Sequence, residues 1–202
     1  MTTRVEKAAG GTPEAPDPPD RKPPPGTTPQ DGPAAVVELE VSAPRAWPLP
    51  RRQLNAVIGR AVAAALAVAA ADGAVVEREG VPPRIEILLA DDAEIRCLNA
   101  RWRGQDRPTN VLSFPAAEAP FVPDVPWPLG SLALAGGVMR REAATRGVDL
   151  SEHLSWLVIH GILHLLGYDH ERDAVKAEHM EALERAALAR LGLPDPYAEP
   201  RE

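Results

Sequence analysis

His160, His164 and His170 are the residues of this chain whose type and spacing bear most directly on chemistry. The first two stand four apart in Ser155-Trp156-Leu157-Val158-Ile159-His160-Gly161-Ile162-Leu163-His164, a run apolar enough to form a buried helix, so both rings project from one helical face a turn apart. Gly167 falls where a left-handed residue would end that helix and turn the chain, which lets His170 come back to the same point. Three imidazoles with no evident fourth protein ligand suit a catalytic zinc, one ion per chain, whose open position takes a water and lowers its pKa. Nickel or cobalt would also accept such a donor set. One histidine on an apolar face is usually a satisfied core residue. Three of the chain's five within eleven residues read as a metal site.

The spacing H-x-x-x-H-x-x-G-x-x-H is also that of metzincin proteases, which carry a glutamate directly after the first histidine as general base. Here that position is Gly161. Without the carboxylate, the group that would deprotonate water and then protonate a leaving amine is missing, so a peptidase is disfavoured. A metallohydrolase acting on something else is expected.

His160 to His170 resembles the signature of the YbeY family of endoribonucleases and rRNA maturation factors. A second block, Leu98-Asn99-Ala100-Arg101-Trp102-Arg103-Gly104-Gln105-Asp106-Arg107-Pro108-Thr109-Asn110-Val111-Leu112-Ser113-Phe114-Pro115, is similar to that family's other recognisable stretch. The likeness covers residues 34–197. It implies a zinc-dependent endoribonuclease specific for single-stranded RNA, acting in 16S rRNA maturation and ribosome quality control. The partners implied are rRNA, the small ribosomal subunit and one of its proteins. Zinc would lie on His160, His164 and His170, with His160 and Arg103 as catalytic residues; Arg103 matches the arginine thought to act in the family. Ser131 departs from the pattern, since relatives usually carry an acid there, and a hydroxyl cannot act as base or orient a ligating histidine as a carboxylate does. A non-catalytic assembly factor stapled by zinc is the alternative, followed by another metallohydrolase such as a peptidase.

Other elements must position these groups. Residues 34–41 alternate as a strand with one buried face; Pro48 and Pro50 precede a helix, Arg51 to Ala71, with apolar residues at helical spacing. A second strand, Arg84 to Leu89, leads to a helix from Ala93 to Trp102, capped by Asp91 or Asp92, with Ile95 and Leu98 inward. The loop after it carries Arg103 and Arg107. A guanidinium fork suits a phosphate, although an isolated loop arginine is more often a solvated charge. Asn110 and Ser113 either contact RNA or cap the next strand, Val111 to Phe114. Leu129 to Ala135 reads as a further strand and Val138 to Arg146 as a helix, with Arg140, Arg141 and Arg146 on its surface. Asp149 and Glu152 suggest a capping box for the histidine helix. His153 reads as exposed or core, and His179 as facing solvent. The last helix runs from Asp173 to Leu191 with Val175, Met180, Leu183, Ala187, Leu188 and Leu191 on its inner face, and Gly192 ends it. Four strands and four to five helices in mixed order give an α+β or α/β sandwich; the resemblance favours α+β, a four-stranded mixed sheet with the metal-binding helix and its loop packed on it.

Of 202 residues, the first 33 hold nine of the 23 prolines and almost nothing apolar, so a disordered tail is expected, then one domain over residues 34–197 and a short tail over 198–202. No unbroken apolar run reaches the length of a membrane span. The opening residues contain no secretory core, and Cys97 is alone. A soluble cytoplasmic monomer without membrane contact is the expectation. Net charge of −7 weighs against polyanion binding. The charge is uneven, however: Arg96, Arg101, Arg103 and Arg107 share twelve residues with Asp106 alone as acid, while eleven acids face five bases from Asp149 onward. A local basic cleft with modest RNA affinity, aided by a protein partner, follows.

Overall fold

The computed structural model describes residues 34–169 and 173–198. The expected disordered tail, His170 and residues 199–202 lie outside the described residues. The chain forms an α+β domain around a four-stranded mixed sheet. Its strands are β1 (Val36–Val41), β2 (Pro83–Ala90), β3 (Val111–Pro115) and β4 (Trp127–Ala135), in the order β1-β2-β4-β3. β1, β2 and β4 run parallel, and β3 closes one edge antiparallel to β4. The helices are α1 (Arg51–Ala71), α2 (Asp92–Arg103), α3 (Gly136–Arg146), α4 (Leu150–Leu165) and α5 (Ala174–Arg190).

Strand alternation sorts the layers. Ile85, Ile87, Leu89, Leu132 and Leu134 face α1, α4 and α5 in the main core, while Leu88, Leu112, Phe114 and Ala133 face α2 in a smaller one. On that second face Glu38, Glu40 and Glu86 remain exposed beyond the reach of α2, as the solvated side of a half-covered sheet should be. By length and composition α1 could cross a bilayer, which unbroken apolar runs alone did not suggest; here its apolar residues are buried in the main core.

Caps are partly as the sequence suggests. The Asp91 side chain accepts the Glu94 N–H at 2.9 Å, and Asp173 accepts that of Val175 at 2.9 Å. Asp149 is the N-cap of α4, but its side chain makes no cap hydrogen bond, so the anticipated capping box is not formed. Val175 is another departure: it is 76% exposed, because it lies in the first turn of α5, ahead of the buried run that starts at Met180.

α4 lies very close to the sheet at Gly161. A Cβ there would stand 2.8 Å from a terminal carbon of Leu132, so the backbone approach requires glycine. Gly161→Ala is expected to lower stability by about 1–2 kcal/mol, since overpacking of about 1–3 kcal/mol is offset by up to about 1 kcal/mol of better helix propensity. Urea denaturation measures it; an unchanged midpoint would mean that Leu132 swings aside without cost.

Candidate metal centre

The rings of His160 and His164 stand together on α4, centroids 4.6 Å apart and nearly perpendicular at 84°. Each is oriented through Nδ1. That of His164 lies 2.9 Å from the Tyr168 carbonyl, which can only accept, so Nδ1 carries the proton and the lone pair of the neutral ring is on Nε2. His160 Nδ1 donates in the same way to Glu184 Oε1 at 2.7 Å. Both histidines are therefore held in the tautomer that ligates through Nε2, with a carboxylate and a carbonyl as orienting acceptors. Among the described residues no cluster of three ligand-type side chains is present, and the expected third donor, His170, lies outside them.

Glu184 was not foreseen from the sequence. It is 0% exposed on α5, and its carboxylate accepts from His160, from Trp156 Nε1 at 2.8 Å and from the Tyr197 hydroxyl. Burial alone would raise its pKa; the hydrogen bonds from His160, Tyr197 and Trp156 outweigh that and hold it below the usual carboxylate value. A signal did exist: Glu184 falls between Met180 and Leu188 at i+4 spacing, an acid on the buried face of an otherwise apolar stripe. Beside this group opens a cavity of about 370 Å³ lined by Asn110, Trp156, His160, Glu181, Glu184 and Tyr197 among others.

The described start of the loop after α4 is held by several hydrogen bonds. Gly167, at φ 93°, donates to the His164 carbonyl and Tyr168 N–H to that of Leu163, the paired bonds of a Schellman turn, as the sequence suggests. The Tyr168 hydroxyl then donates to Asp72 Oδ2 at 2.8 Å, and His179 Nε2 meets Asp72 Oδ1 at 2.9 Å. These bonds hold the Asp72 carboxyl below its ordinary range, while burial and Asp72 push the Tyr168 phenol up to about 12. His179 is thus half exposed, as expected, and also engaged.

Ser131 stands on the sheet face away from α4. It shares the parity of Ala133 and donates to Glu86 Oε2 at 3.0 Å, so an acid at this position would not be the orienter of a histidine on α4; Glu184 does that for His160. Asn110 caps its strand: Oδ1 accepts the Val111 N–H at 2.7 Å, and Nδ2 donates to Glu142 at 3.1 Å. Ser113 donates to the Gly161 carbonyl at 3.5 Å. His153 is a core residue whose Nε2 meets Glu142 at 2.9 Å, so it connects through Glu142 to Asn110 at the cavity. Arg103 is exposed on the last turn of α2 and is not among the described residues lining the cavity. Arg96 is removed from the anticipated basic cluster by a two-pronged pair with Asp106, both contacts 2.6 Å. Arg141 likewise pairs with Asp92, at 2.8 Å.

A family model described as "Endoribonuclease YbeY" matches residues 48–192. The chain belongs to this family. A YbeY endoribonuclease of Nitrobacter winogradskyi is 51% identical over 149 residues, covering 72% of this chain and 74% of that one. One from Rhodopseudomonas palustris strain BisB18 is 50% identical over 149 residues, 73% and 84% of the two chains. One from a Bradyrhizobium species is 54% identical over 128 residues, 61% and 75%. The span matched to the YbeY family contains Arg103, the three histidines and Glu184, whereas Tyr197 lies just beyond it.

His153 makes stability depend on pH. Burial lowers its pKa beyond what Glu142 restores, so the unfolded chain takes up a proton first as pH falls. Its contribution is present above the ordinary value of 6.5 and drains below it, at up to about 1.4 kcal/mol per pH unit. Unfolding midpoints measured between neutral and mildly acidic pH should fall in the wild type and fall less in His153→Gln.

Proposed function

We propose that this chain is a metal-dependent endoribonuclease that cuts single-stranded RNA, with one zinc held by His160, His164 and His170. The observation that carries the reading is the pair of α4 imidazoles, each locked through Nδ1 so that Nε2 is the ligating atom. Zinc, when bound, supplies Lewis acidity toward a phosphodiester. His160 and His164 hold it, and Glu184 keeps the His160 ring aimed. Arg103 brings a permanent positive charge that stabilises charge building on the phosphoryl oxygens. A peptidase is disfavoured further by Gly161, where the position of the protease glutamate is occupied by Leu132 packing. The cellular role is maturation of 16S rRNA and ribosome quality control in the cytoplasm, with rRNA in the small subunit as substrate and a small-subunit protein as the factor that brings it near. The last part answers the charge balance: at −7 overall, with Arg96 and Arg141 paired internally, the chain by itself gathers little RNA.

The test is cleavage of labelled single-stranded RNA and its duplex by the full chain, stripped with chelator and reloaded with zinc. Single-strand cutting should return with zinc, vanish in His164→Ala and fall about 10²- to 10³-fold in Arg103→Ala. Zinc bound at one per chain with no cutting by any preparation would leave a zinc-stapled assembly factor as the reading. In a separate competition against a chromophoric chelator, Glu184→Gln should bind zinc about 10- to 100-fold more weakly; equal affinity would reduce Glu184 to a packing role.

A further inference from the structure

Trp102 is the most exposed aromatic residue among those described, 61% accessible on the last turn of α2. Trp47 and Trp127 are buried, so the exposure is a property of this site. The ring is not loose. Phe114 on β3 meets it edge-on, centroids 6.0 Å apart at 66°, and the Arg101 guanidinium lies 5.4 Å from its centroid. Arg103 follows it directly and Arg107 stands exposed in the next loop, its guanidinium set by Gln105 at 3.1 Å. A fixed, solvent-facing indole among cations is what an unpaired base requires: a π face to stack on, and charge for the flanking phosphates.

Its place in the fold connects it to the histidines. Phe114, which braces Trp102, faces the α2 side of the sheet, and the preceding residue, Ser113, faces α4 and donates to the carbonyl of Gly161, the neighbour of His160, so the two sites lie on opposite faces of one edge strand. β3 is the edge strand, so a single strand of RNA can pass from Trp102 around that edge toward the cavity at Asn110 and His160. Phe114 also lines the groove that holds Glu38, Glu40 and Glu86, so like-charge repulsion steers a strand gripped at Trp102 away from the open sheet face and toward the β3 edge. We propose that Trp102 is a nucleobase-stacking subsite that binds one unpaired base of the RNA at the β3 edge, across that edge from the histidines, with Arg101, Arg103 and Arg107 on its phosphates. This rests on the RNA-cleaving reading above and adds where the strand is gripped.

The experiment is fluorescence anisotropy with labelled oligouridylate and an abasic ribose-phosphate chain of equal length, using the zinc-loaded full chain, Trp102→Phe and Trp102→Ala. RNA integrity is checked by gel after each titration. The wild type should favour the base-bearing strand; Trp102→Ala should bind it about five- to a hundred-fold more weakly and should no longer distinguish the two strands, with Trp102→Phe in between. Zinc content and melting temperature should be unchanged, since the side chain is exposed. Equal binding by wild type and Trp102→Ala overturns the stacking subsite while leaving the nuclease reading intact, including the case where Trp102→Ala loses only binding to a ribosomal protein. A wild type that binds neither strand also overturns the stacking subsite, while the nuclease reading is decided separately by the zinc-dependent cleavage assay.

Discussion

The buried carboxylate of Glu184 is the constraint on which the site depends. An ionised group with no exposure would be intolerable alone, because neither water nor a counter-charge would replace its hydration. Three donors from two parts of the chain replace it: His160 and Trp156 from α4, and Tyr197 from the segment after α5. Satisfying the carboxylate and aiming the imidazole are therefore one event. The bond that helps satisfy Glu184 on α5 is the one that orients His160, and Tyr197 of the C-terminal segment meets the Trp156 ring edge-on, centroids 6.3 Å apart.

The second histidine is controlled differently. His164 depends on a backbone carbonyl, and that carbonyl is placed only because the Schellman turn reverses the chain at Gly167 and the Tyr168 hydroxyl reaches Asp72 at the end of α1. A helix from the start of the chain, the loop after α4 and His179 of α5 thus meet at one carboxylate. On the sheet side, Gly161 lets α4 sit close against Leu132. The glycine that removes a protease's base is the same one that sets the height of the histidines above the sheet.

Local signals made most of this legible. Helix α1 has the boundaries that Pro50 and the apolar spacing imply, and the turn at Gly167 is the one its position requires. Side chains whose role depends on distant partners were harder. Glu184 acquires its meaning from a residue 24 positions earlier, and Asp72 from one 96 positions later, and no periodicity reports such pairings. Ser131 is a related case: an acid can orient an α4 histidine only from the sheet face that α4 covers, and strand parity places this position on the other side. Likewise Arg96 counted as a free cation until the fold folded Asp106 back onto it.

Net charge is a coarse measure for a related reason. Screening limits the reach of exposed charges to about 8 Å at physiological ionic strength, so an RNA strand responds to the groups it passes and much less to the total of −7. The fold gathers those groups into separate clusters. Glu38, Glu40 and Glu86 lie together on the open sheet face, while Arg101, Arg103 and Arg107 lie at the end of α2 and in the loop that leads to the edge strand. An acidic chain can in this way still present a local group of exposed cations, as Arg101, Arg103 and Arg107 do here.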